Sequence, residues 1–99
     1  MLLAALLASA SLDLHPLDPG QAEVRLCFTQ AEPTVSYELL VVAQGPAGRS
    51  QTRQSGVAER PCPVQNGLKL PPSTQVDARL RWWLDGVEQV PQEAELIVP

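Results

Sequence analysis

The sequence predicts an all-β fold of about seven short antiparallel strands. Over most of the chain the hydrophobic pattern has a period of two, and no helical period competes with it. Ten prolines and six glycines are spread along the 99 residues, which favours strands joined by turns. A chain of this length buries only about 65% of the surface that its unfolded form exposes, so we expect one domain with a modest core.

Three predicted strands occupy the first half of the chain. Residues 11–15 form the first, and residues 22–30 form the second, in which apolar and polar side chains alternate. The third, residues 34–43, carries apolar side chains on both faces because Leu40 and Val42 interrupt its alternation. We therefore expect it to lie in the centre of a sheet, partly covered on both sides.

The second half of the chain continues the pattern. The proline-containing stretch 59–67 indicates a loop or an edge connection, and a short strand follows at 68–70. The most regular strand is 74–84, and the Asp-Gly pair at 85–86 is typical of a two-residue hairpin that leads into a return strand. Strands at roughly ten-residue spacing predict a two-sheet β-sandwich of the immunoglobulin or fibronectin type III kind.

One strand-length segment, residues 49–55, has no apolar side chain. It cannot lie in the centre of a sheet, so we expect an edge strand. Charge at an edge can simply prevent unwanted pairing, whereas long donors and amides at an edge can bind another extended polar chain. The candidate partner-binding residues on this segment are Arg49, Gln51, Thr52, Arg53 and Gln54.

The two adjacent tryptophans must point to opposite faces of their strand. Trp82 falls on the apolar face and is predicted to lie in the core. Trp83 shares its face with Arg79 and Arg81, where an indole beside guanidinium groups supports a cation–π contact, and these three residues form a second candidate surface. The alternative for Trp83 is burial under a neighbouring loop.

The charge is unevenly distributed. The chain carries a net charge of −4, which argues against general nucleic-acid binding. Residues 45–81 nevertheless hold six of the seven basic side chains and sum to about +4. Either folding keeps this separation and gives the protein a basic side that attracts an acidic partner, or folding mixes the charges.

Little in the sequence indicates catalysis. The single histidine, His15, precedes a proline and has no nucleophile beside it, so we expect a surface histidine. No glycine-rich phosphate loop, metal-spaced cluster or carboxylate pair stands out. We therefore expect no enzymatic activity, no metal and no cofactor.

The first residues resemble an export signal. An apolar run is followed by Ala8-Ser9-Ala10, the small-x-small pattern that signal peptidase recognises. We expect residues 1–10 to be a signal peptide and residues 11–99 to be the exported domain; the alternative is an ordinary first strand. No other stretch approaches the ~20 apolar residues of a membrane span, so we expect no membrane insertion.

The two cysteines, Cys27 and Cys62, belong to no C-x-x-C pair, so zinc binding and thioredoxin-like chemistry are poorly supported. In an exported domain an even pair predicts a disulfide. Two free, half-buried thiols are the alternative if the protein stays in the cytosol.

The sequence resembles the small periplasmic curli assembly proteins of the CsgC/CsgH family. The resemblance is carried by the apolar start "MLLAALLASAS", the segment "SQTRQ" at 50–54 and a late strand closed by "DG" at 85–86. It implies a fibronectin-like sandwich that keeps the secreted curli subunit from forming amyloid in the periplasm. The CsgC branch has a C-x-C pair, whereas Cys27 here is followed by Phe28 and Thr29, so the CsgH-like branch fits better.

Three functions remain in consideration. The first, implied by the resemblance, is a monomeric periplasmic inhibitor that transiently contacts the unfolded curli subunit through the edge segment. The second is a thiol–disulfide partner protein, and the third is a plain adhesive or structural sandwich domain. A stable bond between Cys27 and Cys62 argues against the second.

If the chain is exported, we expect the mature protein to begin near Ser11. Cleavage after Ala10 removes the apolar run that directs export. Intact-mass measurement on protein recovered from the periplasm checks this, and a mass that retains residues 1–10 would contradict it.

Overall fold

The computed structural model describes residues 9–17, 19–29, 34–46 and 48–99. These residues form strands and connecting turns, with no helix among them. The strands are β1 (Ala10–Pro16), β2 (Gln21–Phe28), β3 (Val35–Gly45), β4 (Gly48–Val57), β5 (Val64–Lys69), β6 (Gln75–Leu84), β7 (Val87–Glu88) and β8 (Gln92–Ile97).

The strands form two antiparallel sheets. The three-stranded sheet has the order β1-β2-β5, and the five-stranded sheet has the order β4-β3-β6, with β7 and β8 both paired to the far side of β6. The two short strands β7 and β8 together make the interrupted return strand that the sequence predicted. The prediction of an all-β chain is confirmed, and β3 lies inside its sheet as expected.

The turn chemistry also follows the sequence. Asp85 and Gly86 both adopt positive φ, at 53° and 79°, and join the paired residues Leu84 and Val87 as a two-residue hairpin. The stretch 59–67 was predicted to be a loop or an edge connection. Its second part is in fact the start of β5, which begins at Val64, directly after the last proline of that stretch.

The core lies between the inner faces of the two sheets. Phe28 of β2 contacts Trp82 of β6 with 5.4 Å between ring centres, and Tyr37 of β3 at 6.1 Å. Trp82 is buried, as predicted, and its indole N–H donates a 3.0 Å hydrogen bond to the carbonyl of Val90. The larger side chains of the same core cluster that are essentially fully buried are Val24, Leu26, Val35, Leu39 and Leu80.

Cys27 and Cys62 are bonded to each other, which confirms the predicted disulfide. The bond joins the end of β2 to the segment just before β5, and the Phe28 N–H donates a 2.7 Å hydrogen bond to the carbonyl of Pro61 beside it. The bond therefore fixes the entry of β5 into the three-stranded sheet.

Residues 1–8 of the predicted signal peptide lie outside the described residues. Ala10 is the first residue of β1, where it pairs with Phe28, and its carbonyl accepts a 2.6 Å hydrogen bond from the Gln92 side chain. Cleavage after Ala10 stays a prediction.

The disulfide should account for a large share of the stability. Breaking it frees a loop of 35 residues, and the chain-entropy model values such a closure at about 3–4 kcal/mol. Urea unfolding of the protein with and without reductant, compared with the Cys27→Ala/Cys62→Ala variant, measures the loss. Equal midpoints under both conditions would contradict the prediction.

Candidate partner-binding surface

The polar segment forms β4, the edge strand of the five-stranded sheet. β4 pairs only with β3, over its whole length from Val57 opposite Ser36 to Gly48 opposite Gly45. Every residue of β4 except Gln54 is exposed. The predicted edge position is thus observed, and the backbone groups on the free side of β4 are not paired with another strand of the described chain.

The five candidate residues of β4 are divided between two faces. Gln54 lies opposite the buried Leu39, so Gln54 and Thr52 are on the inner face, toward the three-stranded sheet. Arg53 lies opposite Leu40, which points away from the core. We call this side of the five-stranded sheet the outer face; it carries Arg49, Gln51 and Arg53.

The second candidate surface belongs to the same outer face. Leu40 pairs with Arg53 on one side and with Arg79 on the other, so the two arginines flank it in one row across the sheet. Arg81 and Trp83 follow at every second position of β6. The structure therefore brings together the outward residues of β4 and all three residues that the sequence placed in a separate surface.

A shallow groove of about 360 Å³ lies on the outer face beside this row. Leu40 is part of its lining, with Arg53 and Arg79 beside it and Pro91 and Glu93 toward β8. The half-buried Leu40 between two guanidinium groups suits a partner segment that combines an apolar or aromatic group with hydrogen-bond acceptors, although Glu38, Glu88 and Glu93 also line the groove.

The side chain of Arg81 is exposed, but neighbouring side chains of the same protein bind its guanidinium group. Its guanidinium bonds Glu88 at 3.1 Å, lies 4.0 Å from Glu38, and sits 5.1 Å from the centre of the Trp83 ring. The hydrogen bond to Glu88 and the charge of that carboxylate raise the pKa of the Arg81 guanidinium above its usual value. Trp83 is half-buried and has Arg81 on its ring, so the cation–π contact, one of the two alternatives that the sequence left open for Trp83, is present.

The remaining arginines of the outer face have no such partners. Within the described ranges, Arg49, Arg53 and Arg79 form no ion pair. Their charges are therefore available to an acceptor brought by another molecule.

The outer face keeps part of the charge separation seen along the chain. β4 contributes Arg49 and Arg53 and no carboxylate, whereas β8, across the sheet, contributes Glu93 and Glu95 and no cation. Between them, β3 contributes the carboxylate Glu38, and β6 carries charges of both signs. The basic edge is consequently the free edge of β4.

Other chemistry is sparse in the part of the chain that the structure describes. No group of three or more metal-binding side chains is found there, and His15 is exposed on β1. No helix in the described ranges is long and apolar enough to cross a membrane.

The sequence did not identify two partners of the candidate residues. Asn66 of β5 donates a 3.2 Å hydrogen bond to Gln54, and Glu88 holds Arg81 in place. Neither contact is visible from local spacing, because each joins residues on different strands. The alternation of Leu40 and Val42 was the one signal of an apolar patch outside the core.

Two solved structures resemble this chain. CsgH from R. palustris matches with a TM-score of 0.58 and 20% identity, covering 92% of each chain. The E. coli curli protein CsgC matches with a TM-score of 0.63 and 15% identity, covering 90% of this chain and 97% of its own. No family model and no curated protein matches. The chain therefore has the fold of CsgH and CsgC.

The side chains of two adjacent leucines of β3 point to opposite faces: Leu39 into the core and Leu40 to the outer face. Leu39 is 1% exposed, so Leu39→Ala should cost about 2–5 kcal/mol of unfolding free energy. Leu40→Ala should cost far less, because the Leu40 side chain is only half-buried on the outer face. Urea unfolding compares the two variants, and equal losses would show that Leu40 is as closely packed as the core.

Proposed function

We propose that this protein is a periplasmic, non-enzymatic inhibitor of curli subunit polymerisation. The observation that carries the proposal is the free edge of β4, where Arg49 and Arg53 have no ion-pair partner among the described residues and Gln51 lies between them. The fold shared with CsgH and with the curli protein CsgC supports a role in curli assembly.

The proposed mechanism uses the geometry of the edge. The curli subunit implied by the resemblance is an unfolded, Gln/Asn/Ser/Gly-rich chain whose cross-β order depends on ladders of polar side chains. Such a chain can pair transiently with the backbone of β4, while the guanidiniums and amide of the outer face hydrogen-bond its polar groups. The charge of Arg49 and Arg53 then opposes the addition of further strands, so the contact does not template a fibril.

The proposed location and state follow from the same features. A disulfide persists in an oxidising compartment such as the periplasm, and the first ten residues resemble an export signal. We propose a monomer that needs no cofactor. We also assign the sandwich to the immunoglobulin or fibronectin type III class, because β5 crosses back to pair with β2 while β3, β4 and β6 form the facing sheet.

The bonded cysteines favour inhibition over thiol–disulfide exchange. Cys27 and Cys62 are joined across the end of β2 and the start of β5, where the bond serves the fold. An adhesive or structural domain remains the alternative, and it predicts no effect on fibre growth.

The direct test adds purified protein, well below equimolar amounts, to a freshly unfolded curli subunit. Amyloid-dye fluorescence should show a delayed rise at these doses. An unchanged time course at equimolar protein would reject the proposed function.

Replacing Arg49, Gln51 and Arg53 together with Ala or Ser should weaken the inhibition. The side chains are exposed, and surface substitutions usually change the unfolding free energy by less than about 0.5 kcal/mol, so the thermal midpoint should stay nearly unchanged. The salt sensitivity of inhibition should fall, because screened attraction to the partner is removed.

The matched control for this variant is Arg25→Ala/Lys69→Ala. It also removes two cations, but from the outward side of the three-stranded sheet. The control should inhibit like the wild type. If the β4 variant folds and still blocks fibre growth at the wild-type dose, β4 is only a protected edge.

A further inference from the structure

The outer face of the five-stranded sheet carries charge of opposite sign at its two edges. Arg49 and Arg53 lie on β4 at one edge, and Glu93 and Glu95 lie on β8 at the other. All four side chains are exposed, and none of them forms an ion pair within the described part of the chain. Each edge therefore offers its charge to a partner that carries the opposite sign.

The strip between the two edges is partly apolar. Leu40 and Val42 of β3 both point to the outer face, and both are only half-buried. The groove of about 360 Å³ lies beside Leu40, on the side toward β8. A partner that covers the whole face must therefore match an apolar strip that has a basic edge on one side and an acidic edge on the other.

A second copy of this chain is such a partner, because it carries the same two edges. Two identical sheets with aligned strands can face each other about a two-fold axis in two ways. An axis across the strands puts β4 over β4 and β8 over β8, so like charges meet. An axis parallel to the strands puts β4 of each copy over β8 of the other, so opposite charges meet at both edges. The charges of the outer face therefore select the second arrangement.

The strand register shows which side chains the second arrangement brings together. One row across the sheet consists of Arg53, Leu40, Arg79 and Glu93, in that order. The axis reverses the row in the second copy, so Arg53 faces Glu93 and Leu40 faces the apolar stem of Arg79. Packed sheets lie about 10 Å apart, a distance that an arginine and a glutamate side chain can span together.

The neighbouring rows contribute unequally to the contact. On one side, Glu38 faces Arg81 of the second copy, whereas on the other side Val42 faces Asp77, which is a mismatch. The shared area is also modest, because four strands about 4.8 Å apart and about 25 Å of strand length give about 500 Å² per copy. The total of about 1,000 Å² lies below the about 1,200 Å² of stable interfaces. We therefore expect a weak dimer that depends on salt.

We infer that two copies of this protein associate reversibly through the outer faces of their five-stranded sheets, with Arg53 of each copy on Glu93 of the other. The inference goes beyond the proposed function, which assigns inhibition to the monomer. Because the dimer covers Arg53 and Arg79, it withholds the outer face from other partners at high protein concentration. Dilution separates the copies and exposes that face again.

The first experiment measures the oligomeric state of the unmodified protein. Sedimentation velocity at rising protein concentration should show an increasing dimer fraction in about 10 mM salt and a much smaller one in about 1 M salt. The reason is that the Debye length falls from about 30 Å to about 3 Å between these conditions. A protein that stays monomeric at every concentration in low salt would overturn the inference and leave the proposed function standing.

The second experiment reverses one charge at a time. Arg53→Glu and Glu93→Arg each place like charges at both symmetry-related contacts, so each variant alone should raise the dimer dissociation constant at least about tenfold. An equimolar mixture of the two variants should dimerise like the wild type. In the mixed dimer the new carboxylate faces the new guanidinium at one contact, and the native Arg53 faces the native Glu93 at the other.

The matched controls are Lys69→Glu and Glu59→Arg. They change the net charge by the same amounts at exposed positions outside the five-stranded sheet, so each should dimerise like the wild type. Single reversals of Arg53 and Glu93 that dimerise like the wild type, or a mixture of them that stays monomeric although both variants are folded, would overturn the interface.

NMR spectra of the wild type give the same test without any substitution, so a misfolded variant does not remove it. The backbone amide signals of β4 and β8 should shift together as the protein concentration rises, and those of β2 and β5 should stay in place. Shifts confined to the three-stranded sheet would overturn the interface. None of these measurements uses fibre growth, so failure of the dimer and failure of the proposed function are distinguishable.

Discussion

The contact between Phe28 and Trp82 is the interaction on which the rest of the structure depends. The two rings lie 5.4 Å apart and belong to different sheets, so their contact sets how the sheets face each other. The Trp82 indole is fixed by its bond to Val90, and the Cys27–Cys62 bond lies one residue from Phe28. Large aromatic groups supply much of a small core's burial, and here they are concentrated toward one end of the sandwich.

Because the core packing is concentrated there, the side chains of β4 contribute little to it. The core residues of β3 and β6 bury the inner face of the five-stranded sheet, whereas β4 contributes no buried side chain. A strand that contributes little to the core can carry any polar sequence without loss of the fold. The side chains on β4 are therefore open to selection for binding, and Arg49 and Arg53 lie where a partner strand would add.

The two faces of β4 differ in their chemistry. On the outer face, Arg53 and Arg79 flank the half-buried Leu40 in one row. On the inner face, Gln54 accepts a hydrogen bond from Asn66 of the other sheet, so this side of β4 is tied to the fold.

The sequence by itself predicted most of the strands, the edge position of β4 and the core position of Trp82, and it favoured a bond between the cysteines. These follow from side-chain alternation and composition, which are local properties that each strand expresses wherever it packs. Only the tertiary structure decided that Arg53, Leu40 and Arg79 share a row and that Gln54 meets Asn66. Which strands become neighbours, and in which register, depends on packing the whole core at once, and no single segment records that choice. The sequence therefore predicted the candidate residues, and the fold divided them between two faces.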